Sequence, residues 1–402
     1  MTGAPAESSR RARLATSLAF TAQGFVLLLL LLSLDSFKTR YGVDDDLITV
    51  AVAGVLLAAA AGTFVADAIS RRGGSWVALV TGLTLIGVAV PLAASAPTFG
   101  LVIGAFAIYG LALGMVDASQ NMQAVAVQRA YGRPLTAGFY AAWSVGAVVA
   151  SFVVSAGIAL DLRLEPVHVV FLLATPVTWV SAVLVARCGL RTQDAPLEPT
   201  GDHPRNHVPW RPMLVLAVAV VAYFAVDNAT QTWGTIYLLD ALDAADWVAP
   251  LVIAPYLAAT LVSRLVGDSL VRRWGRVRVV RVASLIGAAG LLLVVLAHGV
   301  VAATVGFSVA GAGLGLIVPL CFSAAGALSP DHADAVIARL NVFNYLGTLL
   351  GAVMVGAIGS ATSFRIGFLI PVALVLVVAV LAGRFATPAA RPESTTPQEV
   401  SA

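Results

Sequence analysis

Charged residues are scarce in this chain: Asp, Glu, Lys and Arg make up 11% of its 402 residues, whereas 59% of the residues are hydrophobic. A soluble globule of this size needs many more polar side chains to cover its surface. The composition therefore excludes an ordinary soluble domain and predicts an integral membrane protein. Twelve transmembrane helices of ~20 residues need roughly 240 residues plus loops, which the chain length supplies.

Cysteine and histidine are rare too, with two and five residues. Cys188 and Cys321 are too few for a disulfide framework and are predicted to be free thiols. All five histidines fall in predicted loops or at predicted span ends, so we expect no metal site, no cofactor and no buried histidine relay. The sequence contains neither a phosphate-binding loop nor a Ser/His/Asp arrangement. We therefore predict that the protein is not an enzyme.

Arginine and lysine are distributed unevenly between the two predicted faces of the membrane. Only Lys38, Arg40, Arg163 and Arg365 fall on one face. By the positive-inside rule, the other face is cytoplasmic and holds both termini, which predicts a protein of the cytoplasmic membrane. The basic pI then reflects topology, and we expect no nucleic-acid partner. The predicted cytoplasmic residues are Arg10, Arg11, Arg13, Arg71, Arg72, Arg129, Arg133, Arg187, Arg191, Arg205, Arg211, Arg264, Arg272, Arg273, Arg276, Arg278, Arg281, Arg339, Arg384 and Arg391.

Apolar runs and turn residues divide the chain into two halves of six spans each. A cytoplasmic tail at 1–13 precedes the N-terminal half at 14–187, and a polar, Pro-rich cytoplasmic linker at 188–210 leads to the C-terminal half at 211–385. The tail at 386–402 is predicted to be disordered. The predicted spans are 14–34, 47–69, 76–95, 98–127, 135–160, 167–187, 211–239, 248–271, 277–297, 301–328, 336–360 and 365–385.

The two halves are an internal repeat with an offset of 201 residues. Asp67-Ala-Ile-Ser-Arg71-Arg72 recurs as Asp268-Ser-Leu-Val-Arg272-Arg273 at this offset. Leu113-Gly114 likewise matches Leu314-Gly315, and Gly146 matches Gly347. Several matches in one register argue for a real internal repeat rather than chance.

The repeated Asp-x-x-x-Arg-Arg motif resembles that of the major facilitator superfamily. More closely, Gly114-Met-Val-Asp117-Ala-Ser-Gln-Asn121-Met-Gln123, Gly132-Arg133-Pro134, Trp143-Ser144-Val-Gly146, Trp233 with Tyr237-Leu238, and Gly315 to Gly326 resemble an uncharacterised bacterial permease branch near the fucose permeases. The chain departs from that branch at Tyr140, where His is frequent, and at Asp227-Asn228 and Thr232-Trp233. It also lacks the Gly-Pro pair that many drug/proton antiporters carry on the fifth helix.

Acidic residues inside the predicted spans mark the candidate transport site. An acid near a helix centre costs about 2.5–3.5 kcal/mol on insertion, so Asp117 should face a cavity or a partner. Gln120 and Asn121 follow on the same helix face, and Asp227 repeats the pattern with Gln231. A polar contact that only joins helices is the alternative. If protons are coupled, the two acids should carry them.

The resemblance implies that helices 1, 4, 7 and 10 line the solute path. Pro319 is predicted to break the tenth helix and free a carbonyl group, with a packing kink as the alternative. Aromatic residues in the path would provide stacking surfaces or only pack. The predicted path residues are Gln23, Asp117, Gln120, Asn121, Tyr140, Trp143, Asp227, Gln231, Trp233, Pro319, Ser323, Asn341, Asn344 and Tyr345.

The repeated loop motif predicts a cytoplasmic gate. Asp67 and Asp268 end their helices, where the helix dipole disfavours an acid unless a partner compensates. The resemblance implies contacts between the halves that close the inner gate, and ordinary loop charge is the alternative. Arg264 is predicted to snorkel or pair rather than bind solute. The predicted gate residues are Asp67, Arg71, Arg72, Arg264, Asp268, Arg272 and Arg273.

These patterns predict an all-α protein of twelve transmembrane helices with the major facilitator fold. We expect a monomeric secondary transporter that uses alternating access to move a small polar solute with proton coupling. A neutral or cationic solute is expected rather than an anion, because two acids and no buried lysine or central arginine line the predicted path. Its partners would be the solute, protons and membrane lipid. Proton-driven efflux of a drug or secondary metabolite, a solute sensor that does not transport, and a membrane enzyme are alternatives.

Overall fold

The computed structural model describes residues 7–159, 172–191, 209–242 and 253–386. Most of the predicted linker, the predicted disordered tail from residue 387, and the start of the sixth and eighth predicted spans lie outside these ranges. The helices are α1 Glu7–Tyr41, α2 Asp45–Gly73, α3 Ser75–Ser95, α4 Phe99–Tyr131, α5 Thr136–Ala159, α6 Ala174–Cys188, α7 Trp210–Leu242, α8 Ile253–Trp274, α9 Arg276–Leu296, α10a Val300–Leu314, α10b Ile317–Leu328, α11 Ala333–Ala361, α12a Phe364–Gly367 and α12b Leu369–Leu381.

The described part of the chain has the hydrophobic character of a membrane bundle. Ten of its helical segments are long and apolar enough to cross a bilayer, and α6 is a shorter apolar helix. Helix α8 falls outside this set because Arg264, Asp268 and two terminal arginines interrupt its apolar sequence. Large apolar side chains point outward, for example Val380 at 81% exposure and Val301 at 79%. The arrangement suits a lipid environment and agrees with the predicted all-α fold.

The turns between helices repeat as the sequence does. Gly74 joins α2 to α3 with φ of 83°, and Gly275 joins α8 to α9 with φ of 76°. Both glycine N–H groups donate to a carbonyl of the preceding helix at 2.9 Å, that of Ser70 and that of Val271. Only glycine adopts such positive φ angles at little cost. Each tight turn therefore returns the chain directly into the next antiparallel helix.

Close helix contacts follow the same offset. In the N-terminal half, a Cβ atom on Gly114 of α4 would overlap the main chain of Ala59 on α2. In the C-terminal half, a Cβ atom on Gly315 would lie 2.9 Å from the carbonyl oxygen of Thr260 on α8. Ala59 and Thr260 are themselves 201 residues apart. Glycines let helix backbones approach closely in membrane bundles, and here they bring equivalent helix pairs together.

The two halves meet along α2 with α11 and along α5 with α8. One end of the bundle contains the C-termini of α2, α4 and α8 and the N-termini of α5, α9 and α11. We call it the basic end because five arginines lie there: Arg71, Arg129, Arg133, Arg272 and Arg273. Asp117 and Asp227 lie near the middle of α4 and α7, away from this end.

Candidate functional site

The Asp117 carboxylate lies near the middle of the 33-residue helix α4 and is bonded from two other helices. Gln23 Nε2 on α1 donates to its Oδ1, and the Tyr345 hydroxyl on α11 donates to its Oδ2. Gln120 Nε2 in turn donates to Gln23 Oε1 at 2.7 Å. The structure thus brings four of the predicted path residues together, and the Tyr345 bond joins the two halves.

Asn121 and Tyr140 extend this cluster toward α5. Asn121 Nδ2 donates to the main-chain oxygen of Asp117 at 2.9 Å, and the Tyr140 hydroxyl donates to Asn121 Oδ1 at 3.0 Å. These bonds hold the phenol ring of Tyr140 beside the acidic residue. Tyr140 thus contributes a neutral hydroxyl donor to the cluster.

Several buried polar atoms around this cluster have spare hydrogen-bonding capacity. On α11, Asn344 Nδ2 donates to Asn341 Oδ1 at 2.8 Å. Asn341 Nδ2, Asn344 Oδ1 and Gln120 Oε1 are buried without a hydrogen-bond partner among the described residues. Buried polar groups in native proteins are normally bonded to protein, water or ligand. These three atoms therefore have hydrogen-bonding capacity that the described side chains do not use.

Asp227 lies near the middle of α7 and forms the second acidic cluster. The Tyr256 hydroxyl on α8 donates to its Oδ1 at 2.5 Å, and the Tyr223 hydroxyl lies 3.5 Å from the same oxygen. Gln231 Nε2 donates to Oδ2 at 2.8 Å. The predicted residues Asp227 and Gln231 are thus adjacent, whereas Tyr223 and Tyr256 were not among the predicted path residues.

Arg264 is the main correction to the predicted site. It was predicted in the cytoplasmic gate, but the residue is only 6% exposed and lies between the two acidic clusters. It donates from Nη1 to Ser144 Oγ at 2.7 Å and from Nη2 to the Tyr223 hydroxyl at 2.9 Å, and it packs over the Tyr140 ring at 5.7 Å. A central arginine is therefore present, contrary to prediction. Arg264 lies ten residues before the end of α8, which corresponds to about 15 Å along the helix axis. This distance from the helix end could have indicated from the sequence that Arg264 is too deep for the gate.

Pro319 shapes the surroundings of Arg264. Because proline lacks an N–H group, it cannot bond to the carbonyl four residues earlier, that of Gly315. Helix 10 is interrupted there, between α10a and α10b, and Arg264 Nε donates to the Gly315 oxygen at 3.3 Å. The carbonyl that the sequence predicted to be freed is thus used by an arginine of the same half.

Besides Pro319, three predicted path residues lie outside the two acidic clusters. Trp233 stacks on Phe364 with ring centroids 5.7 Å apart, next to Gly356 of α11. Trp143 packs against α1 at Gly24. Ser323 lies at the basic end, where it accepts from Gln128 Nε2 at 2.8 Å and Arg276 Nη2 at 3.1 Å. These contacts indicate helix packing for the tryptophans and a position near the gate for Ser323.

The gate motifs differ between the halves. Asp268 accepts from the N–H groups of Ala137 at 3.1 Å and Gly138 at 2.9 Å, at the start of α5 in the other half. A helix N-terminus favours an anion, so this contact stabilises closure of the basic end. Asp67 instead pairs with Arg71 of its own helix, and its Oδ1 is buried without a partner among the described residues. Arg272 donates to Ser269 Oγ at 2.7 Å rather than to Asp268.

Gln128 and Arg129 form further gate contacts that the sequence analysis did not identify. Gln128 bonds Ser323 across the halves, and Arg129 donates to the carbonyl oxygens of Gly326 and of Pro330, the latter at 3.0 Å. The carbonyls at a helix C-terminus carry partial negative charge that a guanidinium stabilises. Together with Asp268, these residues join the two halves at the basic end.

Two repeated helical halves, a polar centre between them and contacts that join the halves at one end are the architecture of a secondary transporter. The sequence model of the Major Facilitator Superfamily matches residues 14–321 and 216–402, and the chain belongs to this superfamily. It is 30% identical to an uncharacterised transporter of Sinorhizobium fredii over 287 residues, 71% of this chain and 75% of that protein. Among solved structures it is similar to FucP, the E. coli fucose:proton symporter, in the outward conformation, with a TM-score of 0.80, 15% identity, and coverage of 94% of this chain and all of that chain. The proton:xylose symporter XylE matches with a TM-score of 0.76, 12% identity, and coverage of 94% and 95%.

Proposed function

We propose that the protein is a proton-coupled transporter of a small, neutral, polyhydroxylated solute, working by alternating access in the cytoplasmic membrane. The observation that carries this proposal is the Asp117 cluster, in which a mid-membrane carboxylate is bonded by both halves of the protein through Gln23 and Tyr345. A carboxylate at this position can bind a proton and respond to relative movement of the halves. The similarity to fucose:proton and proton:xylose symporters supports a sugar-like solute.

The charge at the centre favours a neutral solute over a cationic one. The sequence analysis left both open because it found two acids and no central arginine. With Arg264 beside the tyrosines of the Asp227 cluster, one negative charge is already offset by a buried positive charge. The unpartnered amide atoms of Gln120, Asn341 and Asn344 provide both donors and acceptors, as hydroxyl groups require.

Closure at the basic end supports an outward-facing state in which this end is cytoplasmic. The Asp268 contact to α5 and the Arg129 contacts to α10b and Pro330 all join the two halves there. In this proposal both termini are cytoplasmic, two six-helix halves at 14–187 and 211–385 rock about the site, and the protein works as a monomer. Export of a drug or metabolite and sensing without transport are the alternatives that flux measurements separate.

The proposal predicts proton-driven uptake into liposomes containing the purified protein, with fucose and xylose as the first labelled probes of a wider sugar and polyol panel. A gradient of one pH unit is worth about 1.4 kcal/mol per proton, so one-to-one coupling should concentrate the solute about tenfold. Asp117→Asn should abolish this accumulation because an amide cannot carry the proton. The matched control Asp46→Asn, at an exposed position near the start of α2, should retain it.

Accumulation that survives collapse of the pH gradient, or that persists in Asp117→Asn, would contradict proton coupling through this residue. Flux directed only out of the cytoplasmic side would support the efflux alternative. A solute that raises the unfolding temperature but never crosses the membrane would identify a sensor.

A further inference from the structure

A buried guanidinium needs a nearby negative charge. Arg264 is 6% exposed, and its hydrogen-bond partners are the neutral groups Gly315 O, Ser144 Oγ and the Tyr223 hydroxyl. Removing a charge from water costs several kcal/mol unless an opposite charge compensates it. Identifying the compensating carboxylate therefore shows which of the central acids is permanently ionised.

Asp268 and Asp117 are poor candidates for the counter-ion. Asp268 is one turn from Arg264 on the same helix, but its two oxygens accept from the N–H groups that begin α5. Asp117 is separated from Arg264 by Tyr140 and Asn121, and Asn121 donates to the main-chain oxygen of Asp117 rather than to its carboxylate. No direct chain of hydrogen bonds therefore joins the guanidinium to the Asp117 carboxylate.

Asp227 is connected to Arg264 through a single side chain. The Tyr223 hydroxyl accepts from Arg264 Nη2 at 2.9 Å and lies 3.5 Å from Asp227 Oδ1. The Tyr256 hydroxyl donates to the same carboxylate at 2.5 Å. Two phenol groups thus stabilise the charge of Asp227, and the first of them also binds the cation. The helices packed on α7 add no other charged side chain at this depth among the described residues.

Asp117 has only neutral side chains around it. Helix α1 contributes Gln23, α5 contributes Tyr140 and α11 contributes Tyr345. The charged residues of α1, α2 and α11 lie toward the ends of those helices, whereas α3, α5 and α10b contain none. Asp117 therefore has no fixed counter-ion in the described structure, and it can become neutral without leaving a cation unpaired.

We propose that Arg264 and Asp227 form a permanently charged pair bridged by Tyr223, which leaves Asp117 as the carboxylate that gains and loses the transported proton. The assignment of the proton to Asp117 rests on the proposed function, and Arg264 acts as a positioning residue. Proton binding converts the Asp117 carboxylate to a carboxylic acid. The bond from Tyr345 to Asp117, which crosses the halves, then loses its charge assistance and weakens. Protonation would thereby loosen the contact of α4 with α11 during the transport cycle.

Infrared difference spectra of the purified protein in lipid test the assignment without a solute. On acidification, the C=O band of a buried protonated carboxyl group should grow in the wild type and in Asp227→Asn/Arg264→Gln, and should be lost in Asp117→Asn. Asp46→Asn serves as the matched control and should retain the band. A band that persists in Asp117→Asn and disappears in the Asp227 variant would overturn the proposal.

Thermal unfolding of paired variants tests the charge pair itself. Asp227→Asn alone should lower the unfolding temperature because it leaves Arg264 buried without a counter-ion, and adding Arg264→Gln should recover most of that loss. Adding Arg264→Gln to Asp117→Asn should give no recovery. If Arg264→Gln raised the unfolding temperature of Asp117→Asn but not that of Asp227→Asn, the pairing of Arg264 with Asp227 would be refuted. Neither the infrared spectra nor the unfolding temperatures depend on solute flux. The uptake measurements in liposomes therefore test the transport proposal independently of this charge pair.

Discussion

Asp268→Ala should open the basic end of the transporter and give the largest change in conformation of any single gate substitution. The residue makes two hydrogen bonds from a carboxylate to N–H groups at the start of α5. Charged hydrogen bonds of this kind contribute about 1.5–3 kcal/mol each, and loss of about 3 kcal/mol shifts an equilibrium by roughly two orders of magnitude. Spin labels at positions 133 and 274, exposed and on opposite halves, would report the opening as a longer distance.

The internal repeat supplies the matched control for this experiment. Asp67→Ala removes the equivalent acid of the N-terminal half, which pairs with Arg71 on its own helix. Because this ion pair lies within one helix and does not join the halves, the label distance should stay near that of the wild type. If both substitutions lengthened the label distance equally, the two acids would contribute equally to the gate. The contact of Asp268 with α5 would then not be the main interaction that keeps the basic end closed.

Gly114→Ala should destabilise the protein by about 3 kcal/mol or more, at the upper end of the range for overpacked cores. The added Cβ atom would overlap the main chain of Ala59, with its carbonyl carbon at 2.6 Å and its Cα at 2.9 Å. Backbone atoms cannot rotate away as a side chain can, so α2 and α4 must separate along their length. Thermal unfolding in detergent, followed by loss of the monodisperse peak in size-exclusion chromatography, would measure the effect.

Gly104→Ala is the control on the same helix. No atom lies within 4 Å of a Cβ placed at this position, and alanine favours a helix over glycine by about 1 kcal/mol. The variant should be as stable as the wild type or slightly more stable. If both substitutions changed the stability equally, helix propensity rather than the contact with Ala59 would explain the effect of Gly114→Ala.

The sequence predicted the fold well because the constraints of a membrane act locally along the chain. Hydropathy located α3 at Ser75–Ser95 and α9 at Arg276–Leu296 within one residue of the predicted spans. The observed helix ends differ more from the predicted span ends where polar or charged residues continue a helix beyond its apolar run. Helix α1, for example, begins at Glu7 and ends at Tyr41, whereas the predicted span is 14–34. Proline and glycine marked the break in helix 10 for the same local reason.

The candidate site was predicted only in part. Asp117 and Asp227 were recognisable because an acid inside an apolar run is costly and therefore has a partner. Their hydrogen-bond partners are known only from the structure. Arg264, predicted at the gate, lies at the centre, and Ser323, predicted in the solute path, lies at the basic end. The repeat gives both halves the same Asp-x-x-x-Arg-Arg motif, but Asp67 and Asp268 have different partners.

By itself, the sequence determined that the chain crosses a membrane, that its two halves are related, and that two acids lie deep in the bundle. Only the tertiary structure decided that Tyr345 joins Asp117 across the halves and that Tyr223 lies between Arg264 and Asp227. The physical reason is that each residue turns a helix by about 100°, while lipid and protein interior are similarly apolar. Hydropathy therefore locates a residue along a membrane helix, but packing against the other helices decides which side chains it meets.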